Sequence, residues 1–171
     1  MYAFFRLGLA LAFVAFAVPA AFSQTTALDG VKREYTSAKT AVLKAANKTP
    51  EDILGFRPSP DVFTLRRMYL HIAGAAYSIC SGAAGKPGTA PKVDVEAAAT
   101  KAQVLEHLNS AFSYCDDVFA ASKDSTLAET FTANGRTMVK SYYFSHLIGH
   151  TNLHYGNVVT YLRINGIAPG D

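Results

Sequence analysis

Apolar residues recur at steps of three and four in four separate stretches of the chain, the spacing that gathers them on one face of an α-helix. The first stretch runs from about Leu28 to Asn47, with Leu28, Val31, Tyr35, Ala38, Val42 and Ala46 on the stripe. Asn47 and the following Pro50 end it. Residues 49–61 hold three prolines, Pro50, Pro58 and Pro60, and read as a loop. A second helix is predicted to begin between Pro60 and Thr64 and to carry Leu65, Tyr69, Ile72, Ala76 and Ile79. Residues 81–92 (SGAAGKPGTAPK) read as a linker of glycine, proline and small residues. The third helix is expected from about Val95 to Ser122, where Leu105, Leu108, Phe112, Cys115 and Phe119 form a bundle-type seam. Residues 124–136 read as a loop, and the fourth helix runs from about Thr137 to Ile164, stopped by Gly166 and Pro169. No strand-like alternation competes. The pattern predicts an all-α four-helix bundle forming a single domain.

The N-terminal stretch has a different pattern. Arg6 is followed by an unbroken apolar run, Leu7 to Val18, then Pro19 and the small residues Ala20, Ala21 and Ser23. That order is the one a secretory signal uses, and it predicts cleavage before Gln24. A retained anchor is the competing reading, but a span needs roughly 20 apolar residues and this run is shorter. Residues 1–23 are therefore expected to be a signal peptide and residues 24–171 the mature domain, periplasmic or secreted and free of the membrane once the signal is removed.

The fourth helix is unusual in what its stripe contains. His146, His150 and His154 lie at i, i+4 and i+8, all within about 40° of one direction at about 100° per residue. Val139, Tyr143, Asn157 and Tyr161 share that face. Two histidines four apart are neighbours on the helix surface and can meet one metal ion. His146 and His154 are separated by about 12 Å along the axis, too far to share one. One ion therefore takes one adjacent pair, and a further ligand must come from another helix. His71 is the best candidate, because a histidine on a largely apolar face needs a hydrogen-bond partner or a metal. His107, beside Gln103 and Ala111, reads as a rim residue. Glu-x-x-His, C-x-x-C-H and H-E-x-x-H are all absent, which argues against ferritin-like di-iron, covalent haem and zincin chemistry.

Charge and cysteine content narrow the picture further. The chain has 16 basic and 13 acidic residues, a formal net charge of +3 that falls to +2 when Arg6 is removed. No basic run with interleaved aromatics occurs, so nothing points to nucleic acid. Half the residues are hydrophobic, enough for a sizeable core. The two cysteines, Cys80 and Cys115, both lie on apolar helical faces. A disulfide between them is permitted in an exported protein, and two buried thiols are the alternative.

The C-terminal stretch, from His150-Thr151-Asn152-Leu153-His154-Tyr155-Gly156-Asn157 through Tyr161-Leu162-Arg163 to Gly166 and Pro169, resembles the signature of the DinB / YfiT-like superfamily. That pattern reads roughly H-x-x-x-H-[YHR]-G-x4-Y-x-R-x-x-G-x-x-P. Leu70-His71-Ile72-Ala73 resembles the family's L-x-H-I/V-A element. The resemblance spans the mature chain in order and spacing. It implies an up-down-down-up bundle and a divalent metal, zinc or nickel, held by His71, His150 and His154. His146, one turn earlier, departs from the pattern and leaves open a His146/His150 pair or a supporting role behind the ligands. Tyr143, Asn157 and Tyr161 are candidates to line the pocket. Many relatives are dimers, so a homodimer is an expectation, although no surface in the sequence announces an interface.

Three functions compete on this footing. One is a metal-dependent hydrolase or transferase of an unidentified small molecule, with positions on the ion open to water or substrate. Some relatives are thiol-dependent transferases, a role that export to an oxidising compartment weakens here. The second is a non-catalytic periplasmic module that binds a metal or a small ligand. The third is a structural bundle whose histidines are satisfied by hydrogen bonds.

Overall fold

The computed structural model describes residues 25–133 and 135–169, and the expected signal peptide lies outside them. Helix α1 spans Ala27–Lys48 and starts in a reciprocal cap. Thr26 Oγ1 accepts from Asp29 N–H at 3.1 Å and Asp29 accepts from Thr26 N–H at 3.2 Å. A 3₁₀ turn, Glu51–Ile53, interrupts the proline-rich loop. Helix α2 spans Leu65–Ala83 behind the Thr64 cap, and helix α3 spans Lys101–Ala120 behind Thr100 and Gln103. Helix α4 spans Lys140–Ile164.

The third helix starts at Lys101, later than expected. The residues before it alternate instead: Val93, Val95 and Ala97 pack against the core while Asp94, Glu96 and Ala98 are exposed. The reason is topological. Cys80 and Cys115 join α2 to α3 near their C-terminal ends, and Arg66 Nε donates to Ala99 O at 2.7 Å near their N-terminal ends. The two helices are therefore parallel, and residues 84–100 must return the chain along the length of α2, about 28 Å for its 19 residues. A helix over that stretch would be too short to make the return.

The expectation of no strands is corrected by a hairpin. Strand β1 (Thr130–Ala133) pairs antiparallel with β2 (Arg136–Val139), in the register Thr130↔Val139 and Ala133↔Arg136. Two residues connect them, Asn134 and Gly135, and Gly135 has φ +73°, the left-handed region glycine adopts freely. The hairpin takes the residues expected to open the fourth helix and delays α4 to Lys140. It also caps that helix. Lys140 N–H donates to Glu129 O at 2.8 Å and Ser141 N–H to Leu127 O at 3.0 Å, which satisfies donors that no side chain reaches.

Helix α1 runs antiparallel to α3. Tyr35 donates to Phe112 O at 2.9 Å towards one end, and Lys101 Nζ donates to Asn47 O at 2.6 Å at the other. Helix α4 runs antiparallel to α2, with His150 beside His71 and Tyr143 pressed against Gly82. Each of α1 and α2 packs on both α3 and α4, so the order around the bundle is α1–α3–α2–α4 with up-down-down-up directions. The core between them includes Tyr69, Phe112, Phe144, Leu70, Leu108 and Leu147, each nearly or fully buried. Burying each such side chain contributes about 1.5–3 kcal/mol. Among the described residues no helix is long and apolar enough to cross a membrane.

Candidate metal centre

Antiparallel packing of α2 on α4 sets His71 opposite His150 and His154. One ring nitrogen from each of the three lies within 4.8 Å of the others. His71 Nε2 and His150 Nε2 are 3.1 Å apart. Ring centroids are 4.9 Å apart for His71–His150, 4.7 Å for His71–His154 and 4.5 Å for His150–His154. Nitrogens bound tetrahedrally at 2.0–2.1 Å from zinc sit about 3.3 Å apart, so the His71–His150 spacing suits a shared ion. His154 Nδ1 is buried with no hydrogen-bond partner among the described residues. An orphaned ring nitrogen is costly, and a purely hydrogen-bonded trio would have satisfied it. These residues fit a divalent metal.

The electrostatics agree with that fit. Burial lowers the His150 pKa to about 4, aided by His154, His71 and His146. Burial also lowers His71, with Arg67 contributing, and lowers His154, with His71 contributing. All three imidazoles are held neutral at neutral pH, the form that ligates metal. No carboxylate joins the cluster among the described residues. Phe63 meets the His71 ring edge-on at 5.6 Å and limits its rotation.

The other expected residues are distributed differently. His146 is exposed and stacks on Tyr142, with centroids 5.5 Å apart and planes 7° apart. It stands 6.0 Å from His150 by ring centroid and outside the cluster. The cluster is thus built from the His150/His154 pair. Tyr143 is half-buried, and its ring occupies the space a Cβ would need at Gly82. Tyr161 is buried with its ring edge-on to Phe56, and Asn157 is exposed. His107 lies on α3, away from the cluster. Cys80 and Cys115 are bonded, Cα–Cα 5.4 Å, and both are fully buried.

One cavity touches the cluster through His71, and a second, beside it, reaches His146. The first, of about 380 Å³, lies between α2 and the crossover, with His71, Ala75, Ser78, Lys92, Val93 and Val95 among its walls. The other, of about 670 Å³, shares Ser78 and Gly88 with it and includes Arg136, Tyr142, Tyr143 and His146. Asn157 and Tyr161 line neither. The crossover and the hairpin therefore supply walls that the helix stripes did not reveal. The hairpin had a signal, the Asn134-Gly135 pair between two runs rich in Thr, Phe, Met and Val.

Residues 34–158, which include all three clustered histidines, match the family model of the DinB superfamily. The chain belongs to the DinB superfamily. Solved DinB-like structures share its fold. A DinB-like protein from Bacillus cereus is 21% identical, with TM-score 0.70, over 84% of this chain and 95% of that one. One from Bacillus subtilis is 14% identical, with TM-score 0.67, over 80% and 92%. A DinB family member from Shewanella denitrificans is 18% identical, with TM-score 0.61, over 82% and 86%. No curated protein matches the sequence. At these identities the likeness to the DinB structures concerns the fold alone.

Proposed function

We propose that this DinB-superfamily chain is an exported metalloprotein that holds one divalent ion, zinc or nickel, on His71, His150 and His154. It would use the ion's remaining positions on a small molecule entering the adjoining cavities. The observation that carries this reading is the convergence of three neutral imidazoles from two helices, one of them with an orphaned buried nitrogen. A bound ion would supply Lewis acidity and would lower the pKa of a bound water or thiol. The chain's own residues set the conditions. Burial keeps the ligands deprotonated, Phe63 steadies His71, and the crossover and hairpin wall the approach. This arrangement supports a metal-dependent hydrolase or transferase.

Among the described residues, the walls of the two cavities contain no carboxylate to act as a general base, which favours the alternative of a non-catalytic metal- or ligand-binding module. Export is supported by the buried Cys80–Cys115 bond, because structural disulfides belong to oxidising compartments.

Elemental analysis of protein purified from the cell envelope tests the metal. The proposal expects one zinc or nickel per chain, lost in the His150→Ala/His154→Ala variant. Protein that takes up no metal on reconstitution would refute it. Turnover across a panel of esters, amides and electrophiles then separates the enzyme from the binding module. N-terminal sequencing of the mature protein tests export, with Gln24 expected first.

A further inference from the structure

Beside the start of α2, a polar cavity of about 210 Å³ opens with Phe63, the ring that meets His71, in its wall. Three arginines line it, Arg57, Arg66 and Arg67, against one carboxylate, Glu96, a net of +2 from three positive charges and one negative. They are not brought together by helix periodicity. Arg57 comes from the proline-rich loop, Arg66 and Arg67 from the first turn of α2, and Glu96 from the crossover.

Each guanidinium already makes at least one contact. Arg57 Nη1 donates to Pro60 O at 2.9 Å, and Arg66 Nε to Ala99 O at 2.7 Å. Arg67 Nη2 meets Glu96 Oε1 at 2.8 Å, and its guanidinium lies 4.1 Å over the Phe63 ring. A guanidinium carries five N–H donors, so most remain to be used. Arg67 Nε is buried with no hydrogen-bond partner among the described residues. Three like charges held around one cavity repel, and a buried donor of a charged group left unpaired is costly. An anion in the cavity relieves the repulsion.

We propose that this cavity is an oxyanion-binding site that takes a phosphate-type group through Arg57, Arg66 and Arg67. Arginine forks match phosphate oxygens in geometry as well as charge. The cavity is polar and small, which suits a single anionic group rather than a whole organic ligand. Arg67 stands one helical turn from His71, and the Phe63 ring touches both side chains. The site does not depend on the metal.

The test uses the mature protein carrying His150→Ala and His154→Ala, so that phosphate has no metal to bind. Inorganic phosphate is titrated by calorimetry, with phenyl phosphate as a second arm. Saturable binding of one phosphate that weakens with added salt is expected. Arg67→Gln should weaken it about tenfold or more, the weight of one charge-assisted hydrogen bond. Arg67→Lys should rescue it only in part, because lysine keeps the charge but lacks the planar fork of donors. Glu96→Gln should tighten it by removing a competing carboxylate. Equal affinity for the two ligands identifies a free oxyanion as the occupant, and tighter phenyl phosphate binding identifies a phosphomonoester. Absence of phosphate binding in a folded protein, or binding that is indifferent to both Arg67→Gln and Glu96→Gln, overturns the proposal.

Discussion

The bond between Cys80 and Cys115 ties two parallel helices across 35 residues of sequence. Breaking it frees the unfolded chain more than the folded one. The loop-closure relation for 35 residues gives about 4 kcal/mol at room temperature. That is a large part of the 5–15 kcal/mol that typically separates folded from unfolded domains. Both sulfurs are fully buried, so replacing the cysteines by Ala also leaves small voids that the core cannot fill. The Cys80→Ala/Cys115→Ala variant should therefore lose about 4 kcal/mol or slightly more in urea titration. Its melting temperature should drop by roughly 10–15 °C. The m-value should rise, because the uncrosslinked chain exposes more surface on unfolding. The ends of α2 and α3 are still packed, His71 lies more than two turns from Cys80 on α2 and the other two histidines are on α4, so metal binding by the folded variant should survive. A loss below about 1 kcal/mol, well under the range usual for native disulfides, would refute the entropic account for this chain.

Replacing His71, His150 or His154 singly by Ala should each weaken zinc binding by an order of magnitude or more. His146→Ala should leave it within about twofold, a contrast that competition with a chromogenic chelator reads directly. In the metal-free protein His150 titrates near 4, against 6.5 for an ordinary histidine. The unfolded chain then takes up its proton first as the pH falls. The contribution of His150 to stability is therefore constant above about pH 6.5, falls between 6.5 and 4, and levels off below that. Urea titrations across that window should show a slope that His150→Ala reduces. Gly82→Ala would drive a Cβ into the Tyr143 ring, so a loss of about 1–3 kcal/mol is expected, with Tyr143 displaced from the cavity it lines.

The helices were legible because their apolar residues follow a single period over five or more turns. Helix α1 begins within a residue of the expected start for that reason. The misreadings fall where a segment's role is set by distant parts of the chain. Val95 and Ala97 look like the first turn of α3, yet the parallel placement of α2 and α3 requires them to run as a return. The Thr100–Gln103 capping box marks the true start and was present in the sequence. Strands β1 and β2 are four residues each, too short for alternation to register, and only the Asn-Gly pair betrays them. At the metal centre helix geometry showed that one adjacent histidine pair on α4 needs a ligand from another helix and pointed to His71, while the choice of His150 and His154 over His146 and His150 rested on the family resemblance. The arginine cavity was not readable, since a loop, a helix start and the crossover meet there only in three dimensions.

Helix α2 is bound to α3 by a covalent bond and faces α4 across the histidine cluster. Helix α1 has neither link. It is held by packing and by contacts such as those of Tyr35 and Lys39 with Asp116. The three cross-connected helices are therefore expected to open most slowly, and α1 amides to exchange before theirs in hydrogen-exchange measurements. Metal loading should slow exchange in α2 and α4 while leaving α1 almost untouched. An opening confined to the first helix would leave in place the α2–α4 face that carries the three histidines.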